Sequence, residues 1–155
     1  MNELFERYKQ GPEVLEKALE GITEEEASFH HIPGKWNIKQ YLRHLADTEI
    51  VAGGRFRQML AEDNPPMNAF KEAVWAEQLD YAGAPIAESM AVFTVLRRDN
   101  ADTLAKAGEA GLARTGQHAV RGPMTVQALA ELFVMHVNKH AEHIAAIREA
   151  YKATK

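Results

Sequence analysis

The stretch "VQALAELFVMHVNKHAEHIAAI", Val126 to Ile147, decides the fold. On an α-helix each residue advances by about 100°, so positions three and four apart share a face. Read with that period, Val126, Leu129, Ala130, Phe133, Val137, Ile144 and Ile147 form one apolar stripe. The segment is expected as a long helix from near Thr125 to near Tyr151. Pro123 lies just before it, where a proline is harmless. His136 and His140 fall on the stripe between Phe133 and Ile144, and His143 lies beside them nearer its edge. At least two imidazoles should therefore point into the protein interior.

Such a pair is awkward without a partner. Charged imidazoles would repel one another and lose hydration; neutral ones each need a donor and an acceptor satisfied. A divalent metal resolves both problems by taking one nitrogen from each ring, and a spacing of four residues lets two rings converge on one ion. A core histidine bonded to a side chain or water is the alternative for an isolated pair.

A second stretch bears on that choice. "WNIKQYLRHLADTE" should open a helix at Asn37, a good N-cap, running to about Glu62. Its apolar stripe is Ile38, Tyr41, Leu42, Leu45, Val51, Ala52, Phe56, Met59 and Leu60. His44 lies at or near this interior face. Three histidines from two helices make a facial metal site with an open position for water or substrate. Asp47, three residues on, could accept the free N–H of a ligand imidazole or stand as an exposed carboxylate on the same helix. Arg55, three turns along the same face, could bind an anionic substrate or extend to the rim. Tyr41 and Trp75 could line a pocket or pack in the core. His30 and His31 precede the turn "IPGK" and should be exposed; His118 sits in a Gly-rich loop that could fold over a pocket.

The rest of the chain is helical in pattern, with no alternating run of strand length. Residues 2–20 read as a first helix, kinked or restarted at Gly11-Pro12. Thr23 and Glu26 fit a capping box for a short helical piece. Gly53-Gly54 inside the second helix implies a close approach by a neighbour. "EDNPP" ends that helix. Residues 68–81 read as a short crossing helix in a long connection. A third helix is expected from about Pro85 to Lys106, followed by the Gly-rich loop "AGEAGLARTGQHAVRGP". The expected fold class is all-α: a single domain over 1–155, a four-helix bundle with a long second connection containing a short helix.

Composition narrows the function. The 155 residues carry a net charge of −4 with both signs mixed, which argues against nucleic acid as a partner. Zero cysteines exclude disulfides and thiolate metal sites. No secretory signal or membrane-spanning run is apparent, so a cytoplasmic location is expected. The sequence has no H-E-x-x-H, no paired Glu-x-x-His, no phosphate-loop spacing and no Gly-x-Ser-x-Gly.

Three stretches carry a family resemblance. "RYKQGPEVLEKALEGITEEE", "PGKWNIKQYLRHLADTE" and "GPMTVQALAELFVMHVNKH" resemble the opening, second and last helices of the DinB-like superfamily, the DinB/YfiT-type metal-binding four-helix bundles. The middle stretch, with its His-Leu-x-Asp, is the most specific. The resemblance places the metal ligands on His44, His136 and His140; the following "AEHIAAI" departs from the family pattern and makes His143 a competing third ligand. It implies a divalent metal, commonly nickel or zinc, and a homodimer. It also implies a small-molecule substrate, with a low-molecular-weight thiol in some relatives. The reaction expected is thiol-dependent S-transfer or hydrolysis. A non-catalytic metal-binding or stress-related interaction protein is the alternative.

Overall fold

The computed structural model describes residues 2–155. Helix α1 spans Asn2–Lys9 and α2 spans Gly11–Ala18. They form one kinked rod, because Gln10 keeps helical angles and the backbone bonds Gln10 N to Glu6 O and Val14 N to Gln10 O carry the helix through Pro12. Gly11 serves packing here: a Cβ there would lie 2.8 Å from Arg97 Nε. The short α3, Glu24–Ser28, is capped by Thr23, whose hydroxyl accepts from Glu26 N. Only half of the expected capping box forms, since the Glu26 carboxylate turns away to Arg148. The complete box is at Asn37 and Gln40, opening α4, Ile38–Ala61.

The connection after α4 holds strand β1 (Pro66–Met67), α5 (Glu72–Gln78) and a 3-10 turn, Tyr81–Gly83. Helix α6 spans Ile86–Leu112 with a break at Gly108, whose φ of +65° is left-handed. The third helix thus bends near its expected end at Lys106 instead of stopping. The next segment corrects the expectation of a loop and of no strands. Thr115–His118 (β2) and Gly122–Thr125 (β3) form an antiparallel hairpin, and β1 pairs in parallel with β2. These strands are two to four residues long, rich in Gly and Pro and without alternation, so main-chain pairing carries them with little help from side-chain pattern. Helix α7 spans Val126–Lys152, with Thr125 as its side-chain cap.

Contacts fix the directions of the helices. Glu49 meets Arg97, Arg57 meets Thr103 and Leu60 approaches Gly111, so α4 and α6 run parallel. Phe56 packs on Phe133 while His44 meets His136 and His140, so α7 runs antiparallel to α4. Tyr8 packs on Phe56, and Leu15 belongs to the cluster of Ile38 and Leu42, so α1–α2 also oppose α4. A parallel α4–α6 pair explains the long second connection. After the 24 residues of α4, about 36 Å of helix, the chain must travel back along the bundle before α6 begins.

Two apolar clusters fill the interior. One surrounds Phe56, Leu104, Leu129 and Phe133; the other surrounds Leu42, Phe93, Val137 and Ile144. Every residue of the apolar stripe read from Val126 to Ile147 is buried. Between the clusters lies a polar layer containing His44, Glu49, Arg97 and Asn100, each at most 1% exposed. Gly53 admits Asn100 of this layer, as its Cβ would sit 2.5 Å from Asn100 Oδ1; Gly54 has nothing near it. Among the described residues no helix is long and apolar enough to cross a membrane.

Candidate metal centre

His44 comes from the middle of α4, and His136 and His140 from successive turns of α7. The antiparallel packing of the two helices brings these three rings together. His44 Nε2 lies 3.1 Å from His136 Nε2, which lies 2.9 Å from His140 Nε2. The three possible ligand atoms lie within 4.8 Å of one another. His44 is fully buried and His140 is 9% exposed.

Burial, first of all, pushes each imidazole down to about 3. The neighbouring rings add to this: His140 acts on His44, His44 on His136, and His136 on His140. The rings are therefore neutral at ordinary pH and present lone pairs. Nε2 of His136 faces two nitrogens at hydrogen-bond distance but offers one in-plane lone pair or one proton. It cannot satisfy both neighbours by ordinary hydrogen bonds. A cation among the three nitrogens can, because it accepts every lone pair. With metal–nitrogen bonds of about 2.0–2.1 Å, ligand nitrogens stand ~2.9 Å apart at right angles and ~3.3 Å apart at the tetrahedral angle. The observed 3.1 and 2.9 Å fit that range.

The remaining ring nitrogens differ. His140 Nδ1 lies 3.2 Å from His143 Nδ1. With His140 Nε2 bare, its Nδ1–H donates to His143 and the ring orientation is fixed. His143 thus contacts His140 through the ring nitrogen that does not face His136. His44 Nδ1 is buried with no hydrogen-bond partner among the described residues. Asp47 does not accept from it and is not exposed either, so neither of the two readings of that carboxylate holds. Asp47 accepts from Tyr81 Oη at 2.6 Å and pairs with Arg43 at 3.0 Å instead. The reason is geometric: three residues along α4 carry Asp47 toward the 3-10 turn of the long connection.

Aromatic rings close the site. Phe70 stacks on His44 at 5.9 Å, Trp36 lies 4.9 Å from His44, and Tyr41 lies 5.0 Å from His140. Trp75 sits one ring further out, edge-on to Phe70. One face stays open. A cavity of about 470 Å³ reaches His136 and is lined also by Arg55, Phe70, Glu72, His118, Arg121 and Lys139. Arg55 is 8% exposed and donates from Nη2 to the Asn68 carbonyl, so it lines the cavity instead of extending to the surface. His118 reaches the same cavity from the end of β2. His30 and His31 are exposed, and His31 lines a separate cavity with Trp36, Tyr41 and His143. Phe70 and Glu72 were not singled out in the sequence, because their roles depend on how the long connection folds back. Lys139 did carry a signal: it follows His136 by three residues and so shares its face.

A bundle with a parallel middle pair and three imidazoles bridging its second and last long helices defines a class of candidate metal proteins. The chain belongs to the DinB superfamily, whose family model matches residues 7–144. A relative from Oceanobacillus iheyensis, named "Putative metal-dependent hydrolase", is 24% identical over 95% of this chain and 85% of its own. A relative of the same description from Geobacillus kaustophilus is 29% identical over 89% of this chain and 78% of its own. In the solved structures, YfiT from Bacillus subtilis superposes with a TM-score of 0.91, covering 97% of this chain and 87% of that one at 23% identity. That protein is described as "a probable metal-dependent hydrolase with an unusual four-helix bundle topology", and the likeness is one of fold.

Proposed function

We propose that this chain is a metal-dependent hydrolase of a small molecule, with a divalent ion held by His44, His136 and His140. The carrying observation is the convergence of three neutral Nε2 atoms at 3.1 and 2.9 Å beside an open cavity. The names of the curated relatives agree with that reading. All-imidazole donors suit zinc or nickel, and the absence of cysteine leaves no thiolate to favour softer ions. A divalent ion there supplies Lewis acidity, for polarising a carbonyl or phosphoryl oxygen and for acidifying water.

The chain's own residues do the rest. His143 holds the ring of His140 in place. Phe70 and Trp36 keep bulk water from His44, so that the cavity is the approach to the cluster. Glu72, exposed at its outer edge but raised above its ordinary value by desolvation, is with His118 one of two acid–base groups on the wall of that cavity beside the cluster.

Elemental analysis of the purified chain, followed by a panel of small esters, amides and phosphoesters with and without chelator, tests the reading. We expect one equivalent of zinc or nickel and turnover that chelator removes. Turnover that survives chelator defeats it. Turnover only with an added low-molecular-weight thiol redirects it to S-transfer, and bound metal without turnover across the panel favours a non-catalytic metal-binding protein. His140→Ala and His143→Ala separate the two ligand assignments, the first expected to lose the metal and the second to keep it.

A further inference from the structure

The cavity beside His136 carries a charge imbalance that the imidazoles do not account for. Its volume, about 470 Å³, lies within the roughly 300–1,000 Å³ of small-molecule sites. Arg55, Arg121 and Lys139 line it against the carboxyl of Glu72. The other arginines that are not exposed, Arg43, Arg97 and Arg148, each have a carboxylate partner; the exposed Arg114 donates only to the carbonyls of Met59 and Glu62. Among the described residues no carboxylate lies within ion-pair distance of Arg55, Arg121 or Lys139.

Arg55 makes the imbalance pointed. Its side chain is nearly buried, yet its one hydrogen bond among the described residues goes to a neutral carbonyl, that of Asn68. A buried cation without an anion loses hydration and gains little in return. A fork of unused N–H donors facing a cavity is what a carboxylate or phosphate group fits. His118 adds a neutral donor. Its Nδ1 accepts from Val120 N and Arg121 N, both at 3.1 Å, which leaves the ring proton on Nε2. Burial first, then the charges of Arg55 and Arg121, depress the His118 imidazole, so its ring stands neutral beside them. Apart from Thr48, the remaining wall is apolar and includes Val51, Phe70, Leu132 and Phe133.

We propose that this cavity selects small organic anions, with a carboxylate or phosphate held by Arg55 and steered by Arg121 and Lys139, and an apolar body lying along Phe70 and Phe133. This deepens the hydrolase reading: the anionic end fixes the substrate so that its cleavable bond faces His136. The selection itself is a property of Arg55, the hairpin and α7, and can be measured without turnover.

The test is calorimetric titration of the full chain, as purified and after chelator, with benzoate, phenyl phosphate and neutral benzamide at low salt. We expect at least one anion to bind about ten-fold or more tightly than benzamide, in both forms of the protein. The benzoate and phenyl phosphate arms separate the two anion chemistries. Arg55→Met should abolish the preference while keeping metal stoichiometry. Arg121→Ala with Lys139→Ala, both on the surface, should weaken anion binding and flatten its salt dependence without risk to folding. Equal binding of benzamide, anion preference only in the metal-loaded form, or preference retained in both variants would overturn the proposal. Loss of hydrolysis with anion preference intact would fault the hydrolase reading alone.

Discussion

The polar layer of this bundle contains two buried clusters that differ in how well they satisfy themselves. Around Arg97 the accounts close. Its Nε donates to Tyr8 O at 2.7 Å, Nη1 donates to Glu49 Oε1 at 2.6 Å, and the guanidinium lies 3.6 Å from the Tyr8 ring centroid. Tyr8 Oη donates to Glu49 Oε2 at 2.8 Å, and Asn100 Nδ2 donates to the same oxygen and to the Glu49 carbonyl, both at 3.0 Å. Around His44 they do not. His136 Nε2 faces the Nε2 atoms of both His44 and His140 and can satisfy only one of them, and His44 Nδ1 has no partner among the described residues. The first cluster is complete within the protein and ties α1, α4 and α6 together. The second is left unmatched within the protein, and the proposed divalent ion would match it. Burial alone does not distinguish structural from functional polar groups; the match of donors to acceptors does.

The comparison breaks most sharply at Arg97. Arg97→Met leaves the Glu49 carboxylate buried without its cation, and breaking a buried pair from one side costs roughly 3–5 kcal/mol. Urea melts of the metal-free protein should show that loss. Added zinc or nickel should still raise the melting temperature of the variant, since none of the three imidazoles is touched. A variant as stable as the parent would mean the network is ornamental.

A separate effect comes from pH and acts on the imidazole cluster alone. The three imidazoles sit at about 3 in the folded chain, against about 6.5 in an unfolded one. The unfolded state therefore binds protons first as pH falls. Stability from this source is complete above about pH 6.5 and is lost on acidification toward pH 3, at up to about 1.4 kcal/mol per pH unit for each ring. Melts in chelator from pH 7 to pH 4 should show a decline that is shallower in His44→Ala and shallower again when His136 is also replaced. Equal slopes in all three proteins would show that these rings are not buried neutral.

How much of this was legible in the sequence depends on which interaction holds each part. The stripe on α7 and the cap at Asn37 were legible because both are local: helical period and one side chain decide them. The meeting of His44 with His136 and His140 could be anticipated because each lies on an apolar face of a long helix, and such faces meet in a bundle. The small sheet was not legible, because "TGQH" and "GPMT" carry no strand pattern and pair only after the long connection has returned beside them. Arg97 and Glu49 were hidden for a related reason. One Arg of the pair Arg97-Arg98 and one Glu on a different helix look like surface residues until the parallel packing of α4 and α6 places them together. Asp47 misled because spacing on its own helix suggested a histidine partner, while Tyr81 reached it from 34 positions away.

The smallest expected change in folding stability belongs to His136→Ala, and it is the most informative. Removing that ring deletes apolar contacts with its neighbours, which destabilises. It also deletes a nitrogen that cannot satisfy both His44 and His140, which relieves them. The two effects oppose, so the metal-free variant should melt within about 1 kcal/mol of the parent. With metal the two proteins should separate. A ligand that binds only the folded chain stabilises it by about 2.7 kcal/mol at a hundred times its dissociation constant. The parent should gain on that scale and the variant nothing, with metal stoichiometry falling from one to zero. A variant that is badly destabilised without metal would place His136 with Arg97, as a structural residue, and would remove the contrast between the two clusters. A variant that keeps its metal would move the third ligand to His143, which requires the His140 ring to turn its Nδ1 from a supporting contact into a ligand.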